Sequence, residues 1–495
     1  MTNQTIVAEE KKPSVAVTAR SYAAFPGKTL PMGQKIAYGI GQLGNSMFPA
    51  AMGVFMVVLA QGLGMPPLLW GIAFFLPRFW DSIIDPVMGY ITDNTRSRFG
   101  RRKPYIVLGA VLAGLSFIAM WQLDPANGVT YNFIFFTLLS LVFYTALTVF
   151  AAPYVAMGYE LSTDFHERTR LMAVSQWIGQ WAWVISPWFW VLIYNPNLYP
   201  NAAVGARSLS LWVGIGCLLM AVVPGLFVKS PSSLDDASLK PLDRKSLKAN
   251  YRGLLDGFKE SLSSQPFRKL CAATFLVFNT FNCIASFSFF IIVHYMFAGD
   301  PGAAGTWPAW NGSAGALCTC FLVLPAVTYL SHKLGKRNAF LISQGISIIG
   351  YLLFWYCFVP GRPELMFIPL PFFAFGIGSL FTLMMSMTAD VCDMDELSTG
   401  SRREGVFGAI YWYMVKFGLA FAGLFTGLVM NLVGFNPDAG TQVEGAIDGL
   451  RMAYTWLPVV GTVLAMWVMW GYDLTEEKAG QVRKAIEARR ASAAG

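Results

Sequence analysis

The chain predicts an all-α membrane protein of twelve transmembrane helices in two halves of six. Three observations carry this: an apolar composition, a succession of long apolar stretches, and a repeat linking the halves. The chain is 55% hydrophobic and 13% charged, with a mean hydropathy of +0.50, whereas soluble domains carry roughly 25% charged residues. About 20 apolar residues suffice to cross a bilayer as a helix. Such stretches fall at 36–60, 69–92, 105–123, 130–157, 171–194 and 208–228, and again at 270–297, 312–331, 339–359, 365–389, 406–433 and 452–472.

Positive charge orients the bundle, because Lys and Arg are retained on the cytoplasmic side. Lys11, Lys12, Arg20 and Lys28 precede the first stretch, and Arg96, Arg98, Arg101, Arg102 and Lys103 follow the second. Arg168 and Arg170, the linker from Lys229 to Lys269, the cluster Lys333, Lys336 and Arg337, and the pair Arg402 and Arg403 continue the alternation. The opposite loops hold only Arg207, Arg362 and Arg451. Both termini are therefore expected in the cytoplasm, in a multi-pass protein of the plasma membrane, the inner membrane in a bacterium. A basic membrane face accounts for the formal charge of +8, and no nucleic-acid motif competes with it.

The first 30 residues are polar and the first apolar stretch is long enough to span, so no cleaved signal peptide is expected. Seven cysteines, odd in number and in or beside spans, do not read as a disulfide framework. Cys318 and Cys320 lack His or carboxylate neighbours, which argues against a metal site. Of three histidines, His294 near the end of span seven reads as a satisfied interfacial residue. No nucleophile and base recur together, so no enzymatic activity is expected.

Span two breaks the apolar pattern with Arg78, Asp81 and Asp85, which a helix places on one face. A charge at the bilayer centre costs about 2.5–3.5 kcal/mol on insertion scales, so such residues pair or line a hydrated path. A purely structural pair of Arg78 with either Asp still leaves one carboxylate over, which favours a transport site.

The repeat is explicit. Arg98-Phe-Gly100-Arg-Arg after span two matches Lys333-Leu-Gly335-Lys-Arg after span eight, 235 residues on. Glu160-Leu-Ser-Thr matches Glu396-Leu-Ser-Thr at an offset of 236. A six-helix unit duplicated in parallel is the plan of the major facilitator fold, with the cargo site between its halves. The expected divisions are a tail at 1–34, halves at 35–228 and 270–472, a linker at 229–269 with a short surface helix within 248–263, and a tail at 473–495.

The run Arg78-Phe-Trp-Asp81-Ser-Ile-Ile-Asp85-Pro-Val-Met-Gly89-Tyr-Ile-Thr-Asp93-Asn-Thr-Arg96-Ser-Arg98-Phe-Gly100-Arg-Arg-Lys-Pro104 strongly resembles the melibiose-permease-like glycoside-pentoside-hexuronide cation symporters. Lys35-Ile-Ala-Tyr-Gly-Ile-Gly, Arg402-Arg-Glu404-Gly and Lys416 extend the resemblance along the whole chain. It implies secondary active symport of a sugar or glycoside with a proton or sodium ion, no cofactor, and a cation site at Asp81, Asp85 and Thr148. No other metal site is implied. Ala151 stands where the family has a further carboxylate, and fewer ligands favour a proton, or a cation site completed elsewhere.

The family's galactoside contacts fall on Ser46, Ala151, Val155 and Gln176, so the acidic sugar clamp is missing. The cargo residues expected instead are Asn45, Ser46, Gln176, Gln180, Tyr411, Trp412 and Lys416, with Asn279 and Asn282 beside them and Trp177 and Trp181 on the face of Gln180. Amides and hydroxyls offer donors and acceptors to a polyol, and aromatic faces cover its C–H surfaces. Lys416 suits a carboxylated sugar or, more readily, compensates a span-two acid. Asp93, Arg168, Arg402 and Glu404 are expected as gating ion pairs, with Glu160 and Glu167 facing Arg402 and Arg403, whereas Arg101 and Lys103 are assigned to topology. The expected partners are the cargo and membrane lipid, with the protein a monomer. The alternatives are a carrier of another cargo, such as a lysolipid or organic acid, and a non-transporting membrane sensor.

Overall fold

The computed structural model describes residues 29–162, 164–234, 239, 242–399, 404–437, 442–474 and 476–494. Among these there is no β-strand. The first set of helices is α1 (Met32–Gln61), α2 (Pro67–Asp93), α3 (Lys103–Met120), α4 (Val129–Glu160), α5 (Phe165–Ile185), α6 (Trp188–Ile193) and α7 (Ala202–Phe227). A linker helix, α8 (Arg244–Ser261), begins earlier than the linker composition indicated and lies against α2 and α16.

The second set comprises α9 (Gln265–Phe290), α10 (Pro301–Ala304), α11 (Trp307–Cys318), α12 (Leu324–Leu334), α13 (Lys336–Cys357), α14 (Leu370–Ser379), α15 (Met385–Thr399), α16 (Glu404–Leu432) and α17 (Ala446–Trp470). A final helix, α18 (Glu476–Ala494), packs on α15. Three π-helical turns, Ile291–Met296, Thr319–Val323 and Leu380–Met384, continue α9, join α11 to α12, and join α14 to α15.

Among the described residues, ten helical segments are long and apolar enough to cross a membrane. The other two of the twelve expected stretches have local reasons to differ. The one in α2 carries Arg78, Asp81, Asp85 and Asp93, and the one from α5 to α6 is interrupted at Ser186-Pro187. Local chemistry sets several ends. Pro67 starts α2, where a missing N–H costs nothing. Asp164, Asn201 and Asp243 accept backbone N–H bonds from Glu167, Val204 and Ser246 at the starts of α5, α7 and α8.

The repeated loop motif has a common geometry. Gly100 and Gly335 sit at φ +88° and +77°, a region that only glycine enters freely.

Most packing lies within the two sets, and α2 against α16 is the main contact joining them. There the backbones nearly touch: a Cβ on Gly71 would lie 3.1 Å from the carbonyl oxygen of Gly423, and one on Gly427 would overlap the Pro67 carbonyl. Phe75–Phe421 and Phe79–Phe417 continue the seam, with ring centroids 5.1 and 5.9 Å apart. One apolar core fills the first set and runs on into Cys283–Met296 and other second-set residues at the end remote from the basic loops. A separate core fills the basic end of the second set. The two sets thus share a core at one end and have separate cores at the other. All seven cysteines are free thiols.

Candidate transport site

α2 places its charges where α4 and α16 converge. Lys416 of α16 sets its ammonium 2.7 Å from Asp81 Oδ2 and 2.5 Å from Asp85 Oδ2. The Thr148 hydroxyl donates to the other oxygen of Asp81. Asp81, Asp85 and Thr148, expected together, are brought together. Lys416, expected to compensate one span-two acid and also offered as a cargo residue, holds both acids and bridges the two sets. The notion that Asp85 is left over is therefore corrected: one amine, whose three hydrogens can serve two carboxylates, occupies both.

Arg78 is corrected as well. Its guanidinium lies over the Phe74 ring, 3.5 Å from the centroid, and donates to the Phe74 carbonyl oxygen at 3.3 Å. Among the described residues it joins no ion pair with either Asp. Arg78 is buried beside Tyr144, whose hydroxyl has no hydrogen-bond partner among the described residues. Two acids and two cations leave this cluster formally neutral.

The cargo candidates divide. Ser46 lies against α5 at Gly179, where a Cβ would sit 3.4 Å from its hydroxyl oxygen, beside the helical turn carrying Gln176 and Gln180, and Asn45 is half-buried on α1. Gln176 is exposed and Gln180 half-buried, and Trp177 and Trp181 meet edge to face at 6.1 Å. Trp412, one turn from Lys416, is 46% exposed. Tyr411 departs from expectation: it is 1% exposed within the second-set core, because adjacent helical residues face different sides. Asn279 donates to the Gly418 carbonyl at 3.5 Å and Asn282 to Phe278 of its own helix at 2.8 Å.

At the basic end the described residues form ion pairs within each set. Asp93 and Glu160 accept from Arg102 at 3.1 and 2.6 Å, and Glu160 also accepts from Arg101. Arg101, assigned to topology alone, is thus an ion-pair partner. Glu167 pairs with Lys35 at 2.9 Å and Arg170 at 2.8 Å and accepts from the Leu30 N–H. Lys35, then that N–H, draw its carboxyl down to about 2. Among the described residues, Glu160 and Glu167 are engaged within the first set. Arg168 reaches the Ser162 carbonyl at 3.3 Å. Arg402, Arg403 and the Glu404 side chain lie outside the described residues. In the second set Lys336 pairs with Asp390 at 2.5 Å.

Sequence reasoning missed the Lys35–Glu167 pair and the double engagement of Lys416. Lone charges at helix starts carry no pairing signal, and a contact across more than 330 residues leaves none in the periodicity.

Similarity searches agree with this architecture. Residues 37–476 match the MFS/sugar transport protein family, and the chain belongs to it. This places it among the secondary active transporters of sugars and glycosides. The glucuronide carrier protein homolog of Escherichia coli (strain K12) is 24% identical, over 92% of this chain and 95% of its own. A putative sulfoquinovose importer from the same organism is 22% identical, over 93% and 95%. The isoprimeverose transporter of Lactiplantibacillus pentosus is 21% identical, over 87% and 86%. A bacterial homolog of the human lysosomal transporter Spinster, solved inward-facing and unoccupied, superposes with a TM-score of 0.66 at 15% identity, over 92% of this chain and 98% of that one.

Proposed function

We propose that the chain is a twelve-span, proton-coupled symporter that moves a sugar or glycoside across the plasma membrane by alternating access, with its termini and basic loops in the cytoplasm. The observation that carries the coupling is the Lys416 ammonium shared by Asp81 and Asp85. A proton on Asp85 removes one of the two attractions holding α16 to α2 at this level. Ion binding then biases the contact between the halves, as thermodynamic linkage between ion and cargo requires. Sodium is disfavoured because the amine already occupies both acids and Ala151 supplies no further oxygen ligand.

Cargo is placed between the halves, on Asn45, Ser46, Gln176 and Gln180 from one side and Trp412 from the other. A cargo bearing an acidic group is the second reading. It is favoured by the buried Arg78, which holds no carboxylate among the described residues, and by relatives named for glucuronide and sulfoquinovose. The test is uptake into proteoliposomes with neutral and acidic labelled glycosides, under separate proton and sodium gradients. Gln176→Ala and Trp412→Ala should weaken cargo affinity about fivefold or more, as loss of a direct contact does. Unchanged affinity in both would remove this face from the cargo site.

A further inference from the structure

The charge cluster does not explain how the halves stay shut at the end remote from the basic loops. There Gln61, the last residue of α1, accepts a hydrogen bond from the Tyr194 hydroxyl at 3.0 Å, and its amide nitrogen lies 2.8 Å from His294 Nε2. Gln61 and Tyr194 belong to the first set and His294 to the second, so the contact crosses the interface. His294 is buried, edge-on to Phe435 with centroids 5.0 Å apart. With the Gln61 amide donating, the imidazole acts as a neutral acceptor.

The backbone around His294 is built for this placement. Ile291–Met296 leaves the α-helix for a π-helical turn, a device that shifts the side-chain register and recurs at functional positions. Ala298 and Gly299 follow at φ +54° and +84°, and the Gly299 N–H bonds back to the Val293 carbonyl at 2.9 Å. A left-handed alanine is strained, and such strain persists only where the surrounding structure enforces it.

We propose that the Gln61–His294 contact, with Tyr194 orienting the amide, is the latch that keeps this end closed and that breaks in each cycle when the halves part. The proposal rests on the alternating-access reading above. A half-buried amide and a buried imidazole need partners. Closed, they satisfy each other; open, water satisfies both. Such a contact holds without leaving a buried charge when it releases, which distinguishes it from an ion pair at the same place. The contact between Ser313 and the Val184 carbonyl, at 2.7 Å, lies on the same cross-set interface but engages only backbone on one side.

The test is hydrogen–deuterium exchange on the full chain in nanodiscs, with wild type, Gln61→Ala, His294→Ala, the milder Tyr194→Phe, and His294→Gln, which keeps an acceptor. Loss of the latch should raise the open population about fivefold, the factor that one typical hydrogen bond gives. Exchange should then rise in peptides 184–194, 288–297 and 307–315 and fall in peptides 155–162 and 385–398, with His294→Gln close to wild type. Local loosening at 288–297 without the opposite change at the basic end would overturn the latch, since a merely structural contact behaves that way. Wild type given a transported glycoside under acid conditions is the control. Opposite changes there, but not in the variants, sink the latch alone; their absence in both sinks the alternating-access reading with it.

Discussion

At the residue scale, the decisive arrangement is one ammonium serving two carboxylates. Asp85→Asn leaves Lys416 with Asp81 and Thr148 undisturbed, so folding and membrane insertion should survive, while the titratable group assigned to coupling is gone. Accumulation of cargo against a gradient should fall to background while exchange of cargo across the membrane continues. Full concentrative uptake by that variant would take Asp85 out of the coupling role. The three span-two charges were legible in the sequence because ionisable residues inside an apolar run are conspicuous. Compensation of a span-two acid by Lys416 was expected, but not that it serves both acids while Arg78 pairs with neither among the described residues. The choice depends on which helix packs beside α2, and on Phe74 offering Arg78 an aromatic face instead.

Glu167 makes a second prediction at this scale. Its carboxyl is lowered from an ordinary 4.5 to about 2, first by Lys35 and next by the Leu30 N–H. A lowered carboxyl pKa contributes stability above the unfolded value and loses it as pH falls through the folded value. Melting temperature in detergent should therefore decline between about pH 4.5 and 2, and Glu167→Gln should flatten that part of the decline while leaving the behaviour near neutrality unsloped. An identical acid limb in both proteins would show that this pair contributes nothing to the profile.

At the scale of elements, α2 and α16 act as a joint because glycine lets their backbones approach. A side chain at Gly427 meets the Pro67 carbonyl, which is backbone and cannot turn aside. Gly427→Val should therefore destabilise the protein by about 1–3 kcal/mol, the usual cost of overpacking, and slow uptake by prying the seam open. Thermal unfolding and initial uptake rate would check it, and wild-type values for both would mean the helices can part without cost. Ten of the twelve expected spans were readable from apolar length among the described residues, and the repeat was readable because Gly100 and Gly335 serve the same backbone turn. The π-helical turns were not. An extra residue in a helical turn leaves the apolar pattern almost unchanged, which is why His294 read only as an interfacial side chain.

At the scale of the whole molecule, the two sets share an apolar core at one end and part at the other, with Lys416 joining them in between. The identity of the coupling ion follows from what that joint can exchange. A sodium ion needs several oxygen ligands in place of the amine, yet α4 offers the hydroxyl of Thr148 and, three residues on, only Ala151. A proton needs one carboxylate oxygen and leaves the other acid on Lys416. Uptake should therefore rise with an inward proton gradient, collapse with a protonophore, and ignore sodium at fixed pH. Ala151→Asp adds the missing charged ligand and should introduce a sodium response, measurable as sodium-dependent uptake or as a sodium-induced thermal shift. Sodium-dependent uptake by the unmodified chain, insensitive to a protonophore at controlled membrane potential, would reverse the assignment and require that the ammonium leave the two acids whenever the ion binds.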